Sequence, residues 1–157
     1  MGSHSPVLLL EVIEGLNLKK DSIVVDLTLG RAGHAKAMLE SLSNGSSKGH
    51  LYGFDQDITA LNEGREVLSR VKQNFTLIHA NFKDFRSKLE EIGVMGADAI
   101  LLDLGVSSPQ FDVGERGFSY RFDAPLDMRM DQMNNEITAR KIVNTYSESH
   151  LKEIFYK

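Results

Sequence analysis

Three acids and one aromatic fall where alternating strands and helices would turn them toward a single ligand. Asp26, Asp55 and Asp103 each stand at or near the end of a short apolar run, and Phe82 lies just past a fourth. In doubly wound sheets such strand ends border the ligand crevice. After Asp26 the chain reads Leu-Thr-Leu-Gly30-Arg-Ala-Gly33-His34. Glycines here let the backbone come close to a ligand and let the next helix start tightly. The third glycine of a dinucleotide turn is missing and an acid leads the motif, which suits a nucleoside with no pyrophosphate to cradle. Taken alone, the turn is equally a tight strand-to-helix connection.

Asp55, one strand further on, can accept bonds from both hydroxyls of a ribose, and capping of the following helix falls better to Asp57. Phe82 can flank an adenine or simply cover the sheet end. A single His at a helix start is more often a surface or capping group than a base, so the backbone of His34 is expected to matter more than its ring.

These residues need strands to hold them. Residues 22–29, 51–55, 75–80 and 97–104 are short apolar runs, rich in β-branched side chains or aromatics and lacking a helical period, and each reads as a buried strand. Between them, 35–42, 58–71 and 85–92 show apolar residues at helical spacing, as does 6–17 ahead of the first strand. Ala35, Met38, Leu39 and Leu42 share one face of the second helix. Such alternation implies right-handed βαβ crossovers, a parallel sheet and helices on both of its faces: an α/β, doubly wound fold.

Past Gly105 the period is lost. Residues 106–131 read as a long loop with Pro109, Gly114, Gly117 and Pro125, and long loops in compact domains are usually functional or disordered. Within it Arg116, Arg121 and Arg129 alternate with Phe118, Tyr120 and Phe122, a mixture able to stack unpaired bases. Five acids outnumber the three arginines there, so an internally ion-paired lid fits at least as well. Met128 and Met130 are expected in the core. Residues 135–157 are helical again.

Composition sets the outer bounds. With 157 residues, 41% hydrophobic and 25% charged, the chain can bury the core of one domain. No apolar run approaches the roughly 18 residues of a membrane span, and no export leader is visible, so the expected address is cytoplasmic with no membrane contact. The absence of cysteine excludes disulfides, thiolate metal sites and cysteine nucleophiles, and no metal site is expected from the 5 histidines. A net charge of −4 argues against a general nucleic-acid binder, so any such contact is local or shared with a partner. Met1–Ser3 resemble the remnant of an affinity tag.

The acid, glycine and aromatic pattern resembles class I S-adenosylmethionine-dependent methyltransferases. Longer motifs narrow this: His4-x-Pro-Val-Leu-Leu, Asp26-x-Thr-x-Gly-x-Ala-Gly-His34, Asp55-x-Asp57, the 101–110 stretch ending Ser-Ser-Pro-Gln110, Glu115-Arg-Gly-Phe-Ser119 and Pro125-Leu-Asp-Met-Arg-Met-Asp131. Together they look like the RsmH (MraW) family, bacterial 16S rRNA cytosine-N4 methyltransferases. The resemblance runs from His4 onward and implies a Rossmann-like fold, S-adenosyl-L-methionine as cofactor and 16S rRNA of the small ribosomal subunit as partner. It implies cofactor contacts at Ala32, Gly33, His34, Asp55, Phe82, Asp103 and Gln110.

Many amino-methyltransferases carry Asp/Asn-Pro-Pro-aromatic after the fourth strand, where this chain has Asp103-Leu-Gly-Val-Ser-Ser. The departure leaves open whether Asp103 engages the substrate amine, the cofactor or both; Asp103 is the expected catalytic group, with Ser107 or Ser108 nearby.

Family members continue into a helical substrate domain and return to complete the sheet. Residues 4–133 are therefore expected to form the cofactor-binding core, including the 105–131 loop, and 134–157 to begin that helical insertion. The parallel sheet is expected to be incomplete, its fourth strand leaving an edge open to pairing, with a homodimer as one outcome. Two rivals stand beside this reading: a non-catalytic module that binds S-adenosylmethionine or a nucleoside, and a nicotinamide-dependent dehydrogenase, disfavoured by the missing third glycine.

Overall fold

Short runs of branched apolar residues set the framework. A computed structural model describes residues 6–42 and 48–156; Met1–Ser3, His4 and the 43–47 part of the Ser/Gly loop lie outside the described residues. In chain order the elements are α1 (Leu9–Leu16), β1 (Ile23–Asp26), α2 (Gly33–Leu42), β2 (His50–Asp55), α3 (Ile58–Ser69), β3 (Phe75–His79), α4 (Phe85–Glu91), β4 (Ala99–Leu101), α5 (Ser108–Asp112), α6 (Ala139–Thr145) and α7 (Glu148–Tyr156). Single 3₁₀ turns occupy Phe82–Asp84 and Gly114–Arg116. None of the described helices is long and apolar enough to cross a membrane.

All four strands are parallel, in the order β3-β2-β1-β4. Alternation along β1 divides the core between the two faces of the sheet. Val24 packs with Ala35, Met38, Leu39 and Leu42 of α2 and with Leu61 and Leu68 of α3. Val25 packs with Phe54 of β2 and Leu89 of α4. The expected helix face of α2 is thus buried as read, and helices cover both faces. Among the described residues β4 pairs with β1 alone.

Leu29, just past β1, fits into a gap that only glycines leave. A Cβ on Gly53 of β2 would come within 2.8 Å of Leu77 Cδ2 and 3.0 Å of Leu29 Cδ1, and one on Gly64 of α3 within 2.7 Å of Leu29 Cδ2. Gly53→Ala is expected to destabilise the chain by about 1–3 kcal/mol through overpacking. An unchanged urea midpoint would contradict this packing.

Several elements are shorter than their apolar runs. β1 ends at Asp26 because the Asp26 carboxylate takes the Thr28 N–H at 3.1 Å, a side-chain turn that diverts the backbone. β4 ends at Leu101, and the Asp103 N–H then donates to the Thr28 hydroxyl at 2.8 Å rather than to a ladder carbonyl. α1 begins at Leu9 instead of residue 6 because Leu8 is left-handed, with φ 50°.

By its contacts the chain divides into two compact units, Met1–Leu104 and Gly105–Lys157. The second unit corrects the reading of 106–131 as loop alone: it contains α5, which has Pro109 in its first turn and a capping box, the Gln110 side-chain oxygen accepting the Ser107 N–H at 2.9 Å. The expected internal pairing is present. Arg129 forks onto Asp127 at 2.6 and 2.8 Å, and that guanidinium holds the Asp127 carboxyl down at about 2. Arg121 lies 3.8 Å from Asp112, and buried Arg116 donates to the Arg129 and Met130 carbonyls. Met128 is no core residue: it is exposed, and its left-handed φ of 59° turns it outward. The helical stretch at 135–157 is two helices, parted where Tyr146 is extended.

Candidate functional site

The sheet changes winding direction between β1 and β4, since β2 and β3 follow on one side of β1 and β4 returns to the other. At such a switch point the loops leaving neighbouring strands diverge and open a crevice at their carboxyl ends. The first unit brings Asp26, Ala32, Gly33, His34, Asp55, Phe82 and Asp103 to that end of the sheet.

Gly30 and Asp55 fasten the first turn to the second strand. Gly30, left-handed at φ 50°, donates its N–H to Asp55 Oδ2 at 2.9 Å, and the Asp57 N–H donates to Oδ1 at the same distance. The Gln56 amide also bears on the carboxylate, so three backbone donors act on a group with about four acceptor positions, and capacity remains for a hydroxyl. Asp57 caps α3 through the Thr59 N–H, as its place before the helix predicts. Burial pushes the Asp55 carboxyl up, and the amides of Asp57 and Gly30 pull it back. Ala32 is fully buried and left-handed at φ 58°, an uncommon conformation for a side-chain-bearing residue. Phe82 opens the 3₁₀ turn after β3 and is 37% exposed, with Asn81 before it bonded to the Gln56 side chain.

Asp103 keeps its side chain half exposed while its backbone is held by Thr28. Its Oδ2 lies 3.9 Å from Nδ1 of His34, whose Nε2 is 2.9 Å from the Val7 carbonyl. Only a nitrogen bearing a proton can bond a carbonyl oxygen, so Nε2 is the donor. The expectation that the His34 ring is a surface or capping group is corrected: the ring is nine-tenths buried and bonded on one side. Gln110 belongs to the second unit, is buried, and supplies the α5 capping box described above.

Asp26 and Thr28 have roles that sequence patterns alone do not disclose. Asp26 is 1% exposed, and burial pushes its carboxyl up to about 7, partly offset by the Thr28 amide and His34 and reinforced by Asp55 and Asp103. Between about pH 4 and 7 the folded chain therefore holds a proton that the unfolded chain, with an ordinary Asp near 3.9, has released. Stability accordingly falls as pH rises across that window, by about 4 kcal/mol from this group, and is level above it. Asp26→Asn should remove most of that loss. Urea unfolding of both chains at pH 4.5 and 8 checks this, and equal losses in the two would contradict it.

A four-stranded parallel sheet flanked by helices, with an acidic, glycine-turned edge at its switch point, is the fold of class I S-adenosylmethionine-dependent methyltransferases. Solved structures share it: NSun6 from Pyrococcus horikoshii with SFG matches 63% of this chain and 24% of its own at 26% identity and a TM-score of 0.50. An rRNA-methylase structure from Clostridium thermocellum matches 68% of this chain and 55% of its own at 22% identity and the same score, a likeness of fold. The chain belongs to the MraW methylase family, whose model matches residues 1–157. It is similar to the ribosomal RNA small subunit methyltransferase H of Mesoplasma florum, 53% identical over 99% of this chain and 49% of that protein. The chain spans about half the length of the curated relatives it matches.

Proposed function

We propose that this chain carries the cofactor-binding half of an S-adenosylmethionine-dependent enzyme that methylates N4 of a cytosine in the decoding region of 16S rRNA, working on the small ribosomal subunit in the cytoplasm. The observation that carries the reading is the convergence of Asp26, Asp55 and Asp103 around the Gly30 turn. Such an edge repels a pyrophosphate and suits neutral ribose hydroxyls and a sulfonium cation. The donor set therefore fits S-adenosylmethionine and disfavours a nicotinamide dinucleotide.

In this reading Asp55 accepts the ribose hydroxyls, Phe82 lies against the adenine, and Ala32, Gly33 and His34 line the near wall. Asp103 completes the cofactor contacts of the first unit. When bound, S-adenosylmethionine supplies an electrophilic methyl and leaves as a neutral thioether. A cytosine amine is a weak nucleophile because its lone pair is delocalised into the ring. The chain's task is to hold that amine in line and give its hydrogens an acceptor, and the half-exposed Asp103 carboxylate supplies one. These contacts lie in the first unit, and residues 134–157 are assigned to the helical substrate-binding part.

Transfer of labelled methyl from S-adenosylmethionine to small-subunit particles, compared between this chain and a full-length relative, tests the reading. The relative should label one cytosine at N4. Label on another base or on protein would contradict it. Binding without transfer by this chain would select a cofactor-binding module, as its half-length coverage of the relatives allows.

A further inference from the structure

The His34 ring stands between two parts of the first unit far apart in sequence. Nε2 donates to the Val7 carbonyl of the segment entering α1, and Nδ1 lies 3.9 Å from Asp103 Oδ2 after β4, an ion pair when that nitrogen carries a proton as well. Beside it, a Cβ on Gly33 would run into the ring of Pro6, so the entering segment lies directly against the first turn of α2. On each side of this contact the backbone is left-handed at a residue other than glycine, Leu8 at φ 50° and Ala32 at φ 58°. Such residues are strained and persist where surrounding contacts enforce them, which occurs most often at ligand clamps and switches. The His34 ring and the Pro6 contact are what join the two.

We propose that His34 is a positioning residue, a clasp whose Nε2–H fastens the Pro6–Leu8 segment and whose imidazolium form also holds the Asp103 carboxylate through Nδ1–H, so that the entering segment and the cofactor edge are set together. The inference rests on the reading of Asp103 as a cofactor contact. Linkage makes it reciprocal: a ligand that prefers the directed Asp103 must also tighten the entering segment. The amide of Val12, bonded to the Leu8 carbonyl at 2.9 Å, reports that tightening through hydrogen exchange.

Two substitutions separate the two contacts. The amide of Gln reaches roughly the place of Nε2, and that of Asn roughly the place of Nδ1. His34→Gln should keep Val12 protection and weaken S-adenosylmethionine binding about tenfold, the scale of one charge-assisted contact. His34→Asn should weaken S-adenosylmethionine binding less than His34→Gln does and lose about tenfold of Val12 protection, measured without cofactor. In the parent chain S-adenosylmethionine should slow Val12 exchange, and in both variants that response should be lost.

Parallel loss of binding, protection and melting temperature in both variants would overturn the proposal, as would parent behaviour in both. Should either variant lose its melting transition, Pro6→Ala loosens the clasp from the other side. Faster Val12 exchange supports the proposal and unchanged exchange overturns it. A parent chain that fails to bind S-adenosylmethionine sinks the cofactor reading, while exchange in the absence of cofactor still decides the clasp.

Discussion

Replacing Asp103 by alanine is expected to lower methyl transfer to the small subunit by at least about 100-fold, the scale on which misplaced reacting groups lose rate. The substitution isolates the carboxylate. What holds residue 103 in place at the switch point is its backbone N–H on the Thr28 hydroxyl, and alanine keeps that bond. The side chain is 54% exposed and its approach to His34 is a long 3.9 Å, so its removal takes away only a weak, solvent-screened contact and should change folding stability by less than about 1 kcal/mol. Activity and stability therefore part company in this variant. The check is single-turnover transfer in a full-length relative carrying the equivalent change, with cofactor binding measured alongside. Near-normal turnover over an intact cofactor pocket would contradict the role given to Asp103.

The second large effect is expected at Asp55. In the proposed pocket, Asp55→Ala would remove the charged acceptor of the ribose hydroxyls. Hydrogen bonds to a charged group are worth about 1.5–3 kcal/mol each, so S-adenosylmethionine affinity should fall at least about 100-fold. This variant also loses stability, because the Gly30, Asp57 and Gln56 amides lose their common acceptor. Asp55→Asn offers little rescue: its one oxygen can take one amide, and its NH₂ group then faces another donor. Calorimetry with urea unfolding in parallel distinguishes the two losses. Affinity retained within about tenfold in Asp55→Ala would remove ribose binding from this carboxylate.

What the sequence showed and what it hid follow from the range of each interaction. The α2 face of Ala35, Met38, Leu39 and Leu42 is readable because helical spacing alone aligns it, and all four are fully buried. The acids at strand ends are readable because a parallel sheet with helical crossovers brings every carboxyl end to the same side. The Asp57 cap is likewise a local matter. By contrast, the Thr28 hydroxyl that ends β4 is met by a backbone amide 75 residues away, and no periodicity carries that information. The same holds for His34, whose ring is read as incidental until the Val7 carbonyl, 27 residues earlier, is seen against it. Asp26 stands in the motif, yet its raised pKa arises from burial at the centre of the sheet, a property of the assembled fold. Pro109 and Gly114, taken as loop markers, sit at the start of α5 and in the 3₁₀ turn that follows, because proline suits a first helical turn as well as a loop.

The central claim, that the acidic carboxyl edge of this sheet is an S-adenosylmethionine pocket, is tested most directly by titrating the chain calorimetrically with S-adenosylmethionine, S-adenosylhomocysteine and NAD. The account predicts saturable one-site binding of S-adenosylmethionine, competition by S-adenosylhomocysteine, no heat from NAD, and loss of the signal in Asp55→Ala. Equal binding of NAD, or S-adenosylmethionine binding that survives Asp55→Ala unchanged, would contradict it.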